Sequence, residues 1–288
     1  MSVATDEVLE RLRNACGFIF DLDGTLALGD RVNHGLRPLP GAVDMLAWVR
    51  DRQLPYMVFT NGTNRSPRHF ASVLREAGLD VPDSRMMTPA TSAVVMFTKR
   101  GYERIMVLGG PGLTDPLREA GIEVVPSSDA ATGDVDAVFV GWFREFTMDD
   151  LEAACHAVWA GAELYSASET PFFATAGGRA LGTSRAISAM IRSITGCGLT
   201  ITGKPSLDAL RAAAAGLGVR QMSRLVIVGD DPLLEVPMAH RGHGLAIAVG
   251  TGIGGPDAYD HLPPRQQPHL HLRGIDELLA LCRETQVG

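Results

Sequence analysis

Short, uninterrupted apolar runs alternate along this chain with stretches whose apolar positions recur every three or four residues. Gly17-Phe18-Ile19-Phe20 reads as a buried strand that ends on Asp21. Pro38 and Pro40 lead into Gly41 to Arg52, where Val43, Leu46 and Ala47 fall at helical spacing. Pro55-Tyr56-Met57-Val58-Phe59-Thr60 is a second buried strand. Ser66 then suits an N-cap and Pro67 the first helical position of a helix running to about Gly78. The rhythm returns late in the chain. Ser206 caps a helix carrying Leu207, Leu210, Ala214 and Leu217; Leu225 to Gly229 is a strand that again ends on acid. Leu245 to Val249 is another strand, and Ile275 to Cys282 a last helix. Strands alternating with helices predict an α/β fold, a doubly wound parallel sheet covered on both faces.

The middle of the chain alternates too. Arg104 to Leu108 and Asp136 to Val140 read as strands and Met148 to Ala160 as a helix, but no strand there ends on acid. Residues 83–180 are therefore expected to form an inserted α/β cap, and 1–82 with 181–288 the catalytic core. The stretch 250–268, rich in Gly and Pro, is expected to be a surface loop.

Composition narrows the classes. A chain of 288 residues that is 45% hydrophobic has ample material for a core. The net charge of -7 argues against nucleic acid or an anionic membrane as the main partner. No apolar run approaches the ~20 residues of a spanning helix. The charged N-terminus lacks an apolar signal core, so a cytoplasmic protein is expected. Cys16, Cys155, Cys197 and Cys282 are far apart and fit no zinc or thioredoxin spacing.

The chemistry sits at strand ends, where open α/β sheets bind ligands. The three ends read Asp21-Leu22-Asp23-Gly24-Thr25, Thr60-Asn61-Gly62 and Gly229-Asp230-Asp231. A carboxylate attacking phosphorus meets an anionic substrate, and Mg2+, which prefers hard oxygen ligands, can neutralise both. Asp21 suits the nucleophile and a metal ligand. Asp23 is placed to protonate the leaving group and later to deprotonate water. Asp230 closes the metal site, with Asp21 and the Asp23 backbone carbonyl as its other protein ligands. The Thr60 hydroxyl and the amides near Asn61 and Gly62 suit the phosphoryl oxygens, and Lys204 offsets charge around the nucleophile.

These segments resemble the haloacid dehalogenase superfamily of phosphatases. Phe18 to Leu26 matches its first motif, Val58-Phe59-Thr60-Asn61 its second, Gly203-Lys204-Pro205 its third and Val226 to Asp231 its fourth. The long insertion between the second and third motifs is similar to the type IIA subgroup, which includes para-nitrophenyl, sugar-, glycerol- and pyridoxal-phosphate phosphatases. The resemblance implies a magnesium-dependent hydrolase of a small phosphoester, a cap that selects substrate, and a homodimer formed through that cap. It also implies a rival outcome, transfer of the phosphoryl group to a second sugar as in a mutase. A catalytically silent binding module of the same fold is a third. One departure stands out. Where the subgroup has threonine-aspartate, this chain has Leu234-Glu235, so either Glu235 or Asp231 is left to support the metal.

Other signals are set aside. Gly198 to Lys204 nearly spells a P-loop, but Pro205 replaces the required hydroxyl. Gly250-x-Gly252-x-x-Gly255 leads into prolines rather than a helix. His240 and His243, like His269 and His271, lack a partner set. Arg65 is either an anion contact or a surface arginine. Trp142, Phe143 and Thr170-Pro171-Phe172-Phe173 read as core, although Ser168 to Gly178 is where the cap is expected to approach substrate.

Overall fold

The computed structural model describes residues 3–30, 34–128, 134–175, 178–253 and 258–285. Six parallel strands form the first sheet, in the spatial order 270–272, 245–249, 225–229, 17–20, 56–59 and 86–87. Numbered along the chain, this is the order 3-2-1-4-5-6 of a doubly wound fold. Its direction reverses between the strands Gly17–Phe20 and Leu225–Gly229, which pair with Phe20 opposite Val228. Asp21 and Asp230 therefore leave the sheet side by side at the switch point.

The apolar runs are continuous because both faces are covered. Phe18, Phe20, Val226, Val228 and Ile247 pack to one side with helices Ala42–Asp51, Pro67–Glu76 and Ile275–Glu284. Ile19, Met57, Phe59, Ile227 and Ala248 pack to the other with Leu207–Leu217 and Glu235–Arg241. Neighbours along each strand alternate between these two clusters, the period of two that a pleated strand imposes. The predicted caps are present: Ser66 Oγ accepts from His69 N and Ser206 Oγ from Ala209 N.

A second, five-stranded parallel sheet runs 200–201, 163–166, 137–140, 104–108, 123–126. An antiparallel hairpin, Phe172–Thr175 with Gly178–Leu181, stands beside it. Met86–Met87 adds to the edge of the first sheet against Val58–Phe59. Helix Thr183–Thr195 packs on helix Met148–Trp159, and Thr200–Ile201 pairs with Tyr165–Ser166. The strands of the second sheet thus all fall between residues 104 and 201. Helix Pro89–Arg100 starts behind a Thr88–Thr91 capping box.

Of the expected surface loop 250–268, residues 254–257 lie outside the described residues. Tyr259 is buried and packs into the first-sheet core instead of facing solvent. Among the described residues no helix is long and apolar enough to cross a membrane.

Candidate active site

Asp21 is the first residue after the central strand, and its N–H donates to Val228 O at 2.8 Å. That bond fixes the backbone from which the carboxylate projects. Oδ1 is ion-paired with Lys204 Nζ, whereas Oδ2 is buried with no hydrogen-bond partner. Lys204 is 1% exposed, and a second carboxylate oxygen, Glu235 Oε1, lies 2.6 Å from Nζ. The buried ammonium thus stands between two carboxylates. Burial alone would lower the ammonium's pKa; Asp21 and Glu235 more than offset it and raise the value.

Glu235 opens helix Glu235–Arg241 and turns back over Gly229. A Cβ at 229 would come within 2.1 Å of Glu235 Cγ, so the motif glycine makes room for the longer acid. Its Oε2 accepts from Asp231 N at 3.2 Å. Burial pushes the Glu235 carboxyl up to about 8, against the pull of Lys204. Asp230 is 2% exposed and accepts from Ile253 N at 2.6 Å. Burial, then Asp21 and Glu235, raise its pKa well above the usual carboxylate range. Two backbones crowd the Asp230 carboxylate. A Cβ on Gly252 would fall 1.8 Å from Oδ2, and one on Gly24, whose φ is +93°, 2.6 Å away. Asp231 Oδ1 accepts from Leu233 N at 2.8 Å.

The second motif faces the first. Thr60 Oγ1 donates to Asp23 Oδ2 at 3.0 Å and accepts from Gly62 N at the same distance. The Asn61 side chain is turned away from the cleft's phosphate donors and onto the Lys204 backbone. Its Oδ1 accepts from Lys204 N at 2.8 Å, and its Nδ2 donates to Lys204 O at 3.0 Å and to Ser168 Oγ at 3.3 Å. The side chain is spent on locating Lys204.

All the predicted residues, Asp21, Asp23, Thr60, Asn61, Gly62, Lys204 and Asp230, line one cleft, together with Asp231 and Glu235. Five carboxylates thus share it with one lining cation. Yet among the described residues no group of three or more His, Cys, Asp or Glu side chains stands ready to hold a metal. Asp23 turns its carboxylate to Thr60, which leaves Asp21 and Asp230 as the side-chain oxygens. Oxygen donors, a buried unpartnered Asp21 Oδ2 and an excess of negative charge fit a hard divalent cation.

Ser168, Thr170 and Phe173 of the expected approach segment line the cleft, and several further lining residues were not foreseen. Trp142, Thr170 and Phe173, read as core, face the cleft, whereas Phe143 packs into the second-sheet core. Ser168 lines it as well; residues 176 and 177 of the expected approach segment lie outside the described residues. Thr63, Asn64, Thr183 and Ser184 complete that side and carry no sequence signal. Arg65 is buried rather than a surface arginine. The histidines lie elsewhere: His269 Nδ1 accepts from Ala246 N at 3.0 Å, its ring 4.9 Å from that of His240.

Comparison with known proteins agrees with this geometry. Residues 18–123 match a family model described as haloacid dehalogenase-like hydrolase, and residues 201–278 one described as HAD-hydrolase-like. Ribonucleotide monophosphatase NagD of Escherichia coli (strain K12) is 27% identical over 86% of this chain and 92% of its own. The acid sugar phosphatase of Staphylococcus haemolyticus is 28% identical over 92% and 95%. The structure of glycerol phosphate phosphatase Rv1692 from Mycobacterium tuberculosis in complex with magnesium shares the fold. Its TM-score is 0.81 at 24% identity, covering 96% of this chain and 79% of that one. With the four motifs converging on a single cleft at the switch point, the chain belongs to the haloacid dehalogenase superfamily of hydrolases, in its type IIA phosphatase subgroup.

Proposed function

We propose that this phosphatase hydrolyses a small phosphomonoester in two displacements on Asp21, with Mg2+ held by Asp21, Asp230 and the backbone carbonyl of Asp23. The observation that carries the reading is the Asp21 carboxylate. It is buried, one oxygen is anchored to Lys204, and the other has no partner. A nucleophile needs that combination of fixed orientation and an unspent lone pair.

Asp21 forms a bond to phosphorus as the bond to the alcohol oxygen breaks, and Asp23 gives the departing alkoxide its proton. Asp23 then takes a proton from water as that water attacks the aspartyl phosphate, which restores Asp21 and releases inorganic phosphate. The Thr60 hydroxyl orients Asp23 and, with the amides near Asn61 and Gly62, receives the phosphoryl oxygens. Lys204 holds the rotation of Asp21 and tempers the charge that gathers there. Magnesium, when bound, screens the repulsion between phosphate and carboxylates. Its proposed presence is supported by the donor set and by the magnesium complex of the Mycobacterium tuberculosis protein.

Phosphate release from a panel of sugar, glycerol, nucleotide and aryl phosphates tests this. Turnover should require magnesium, stop with a chelator, and fall by at least about 10³-fold in Asp21→Asn. Full activity in that variant would remove Asp21 from the mechanism.

A further inference from the structure

A second pocket opens at the other end of the first sheet. Glu7 and Arg11 of helix Val3–Arg13 line it with Ser223, His240, His243 and His269. Gly244 completes the lining, so no apolar side chain contributes. Ser223 lies just before strand Leu225–Gly229, whose far end carries Asp230 into the catalytic cleft. A five-residue strand, roughly 16 Å of chain, therefore separates the two sites.

Glu7 and Arg11 stand four positions apart, acid first, a spacing and order that favour an ion pair along a helix. Here they form none: among the described residues neither side chain belongs to an ion pair. The Arg11 guanidinium donates to His243 O at 3.0 Å, which occupies one of its five N–H groups. One carboxylate and one guanidinium thus border the same pocket, each without a counter-ion from the protein.

Two imidazoles add a donor and an acceptor. The Ala246 N–H that His269 Nδ1 accepts can only donate, so Nδ1 holds the lone pair and Nε2 the proton. Burial first, then the charges of Arg11 and His240, push the His269 ring down to about 4, so it is neutral near pH 7 and offers an N–H. His240 has the opposite polarity. Its Nε2 lies 2.8 Å from Gln267 O, which can only accept, so in the neutral ring Nδ1 holds the lone pair. A transition metal gains little here, because the one lone pair of His269 is already taken by Ala246 N.

We propose that this pocket binds a small zwitterion of the α-amino-acid type, its carboxylate received by Arg11 and His269 and its ammonium by Glu7 and His240. Such a ligand supplies both missing counter-ions at once. A simple anion leaves Glu7 unpaired, and a simple cation leaves Arg11 unpaired. A lining without apolar side chains favours a ligand whose own side chain is small or polar.

Ring signals of the histidines in NMR spectra of the full chain test this, at constant pH and ionic strength. Glycine is the probe; acetate and methylammonium each supply one half of it. Glycine should shift the signals of His240, His243 and His269 saturably and leave the other five of the chain's eight histidines in place. It should bind about tenfold tighter than either half. Glu7→Gln and Arg11→Gln should each remove that preference, and Arg11→Lys should keep part of it. Glycine binding no tighter than acetate or methylammonium overturns the proposal on the unaltered protein alone. A preference that survives both glutamine variants, or shifts confined to the other histidines, also overturns it. The measurement needs no turnover, so its outcome is separate from that of the phosphate-release panel.

Discussion

The carboxamide of Asn61 pairs with both backbone groups of Lys204, 143 positions away, taking its N–H at 2.8 Å and giving to its C=O at 3.0 Å. Lys204 in turn grips Asp21. One amide side chain therefore sets where the ammonium stands, and through it how the carboxylate is turned.

Asn61→Ala should expose that chain of dependence. It leaves two backbone groups of Lys204 unpaired, at a cost of about 1–3 kcal/mol each where they are buried. A displaced ammonium on the order of 1 Å off would lower kcat by about 10²-fold. Steady-state kinetics alongside urea unfolding should show kcat falling far more than KM rises, together with lost stability.

Glu235→Gln should separate stability from activity. Burial disfavours the charged Glu235 even beside Lys204. The neutral amide keeps the shape and leaves Lys204 paired with Asp21. Without metal, the variant should be more stable than the parent at pH 8, where the parent must hold its buried Glu235 charged or take up a proton. It should bind magnesium more weakly and turn over more slowly. Thermal unfolding in chelator, set against metal titration, checks both halves.

The same acids fix a pH dependence. Glu235 is raised from its ordinary 4.5 to about 8, and Asp230 is raised as well. Between those limits the folded chain binds more protons than the unfolded one, so stability without metal falls as pH rises through that window. A bound cation favours the ionised carboxylates, so its affinity grows as protons leave. The rise in Tm on adding magnesium should be larger at pH 8 than at pH 6, and an equal rise would count against this account.

Gly112→Ala should damage catalysis without unfolding the protein. Gly112 lies in helix Pro111–Glu119, where alanine is the better helix former. A Cβ there would stand 2.0 Å from Thr63 O and 2.8 Å from Arg65 N. The second-sheet unit would be pushed off the loop that follows Thr60. An expected loss in kcat/KM of about tenfold or more, with unchanged Tm, contrasts with Gly110→Ala, whose Cβ meets nothing within 4 Å and should be silent.

Much of this site was legible in the sequence because buried parallel strands leave unbroken apolar runs, and the acids stand at their ends. Asp21 and Asp230 could be placed together from that alone. The function of the Asn61 side chain could not, since nothing local announces a partner 143 positions on. That Thr183–Thr195 and Thr200–Ile201 join the second sheet was not legible, because an amphipathic helix suits either sheet and the strand is only two residues long. Trp142 and Phe173 have the sequence signature of core aromatics; only the turn after strand Ala137–Val140 and the hairpin decide that they face a cleft.

Thr60 and Thr63 lie three positions apart on one loop. The first hydroxyl holds Asp23, and the second accepts from the N–H of Trp142 at 2.8 Å. A span so short has little slack, so whatever shifts the Trp142 backbone also tugs on the Asp23 carboxylate. Under the two-displacement reading, the turn after strand Ala137–Val140 and the acid that would protonate the leaving group are mechanically geared to one another.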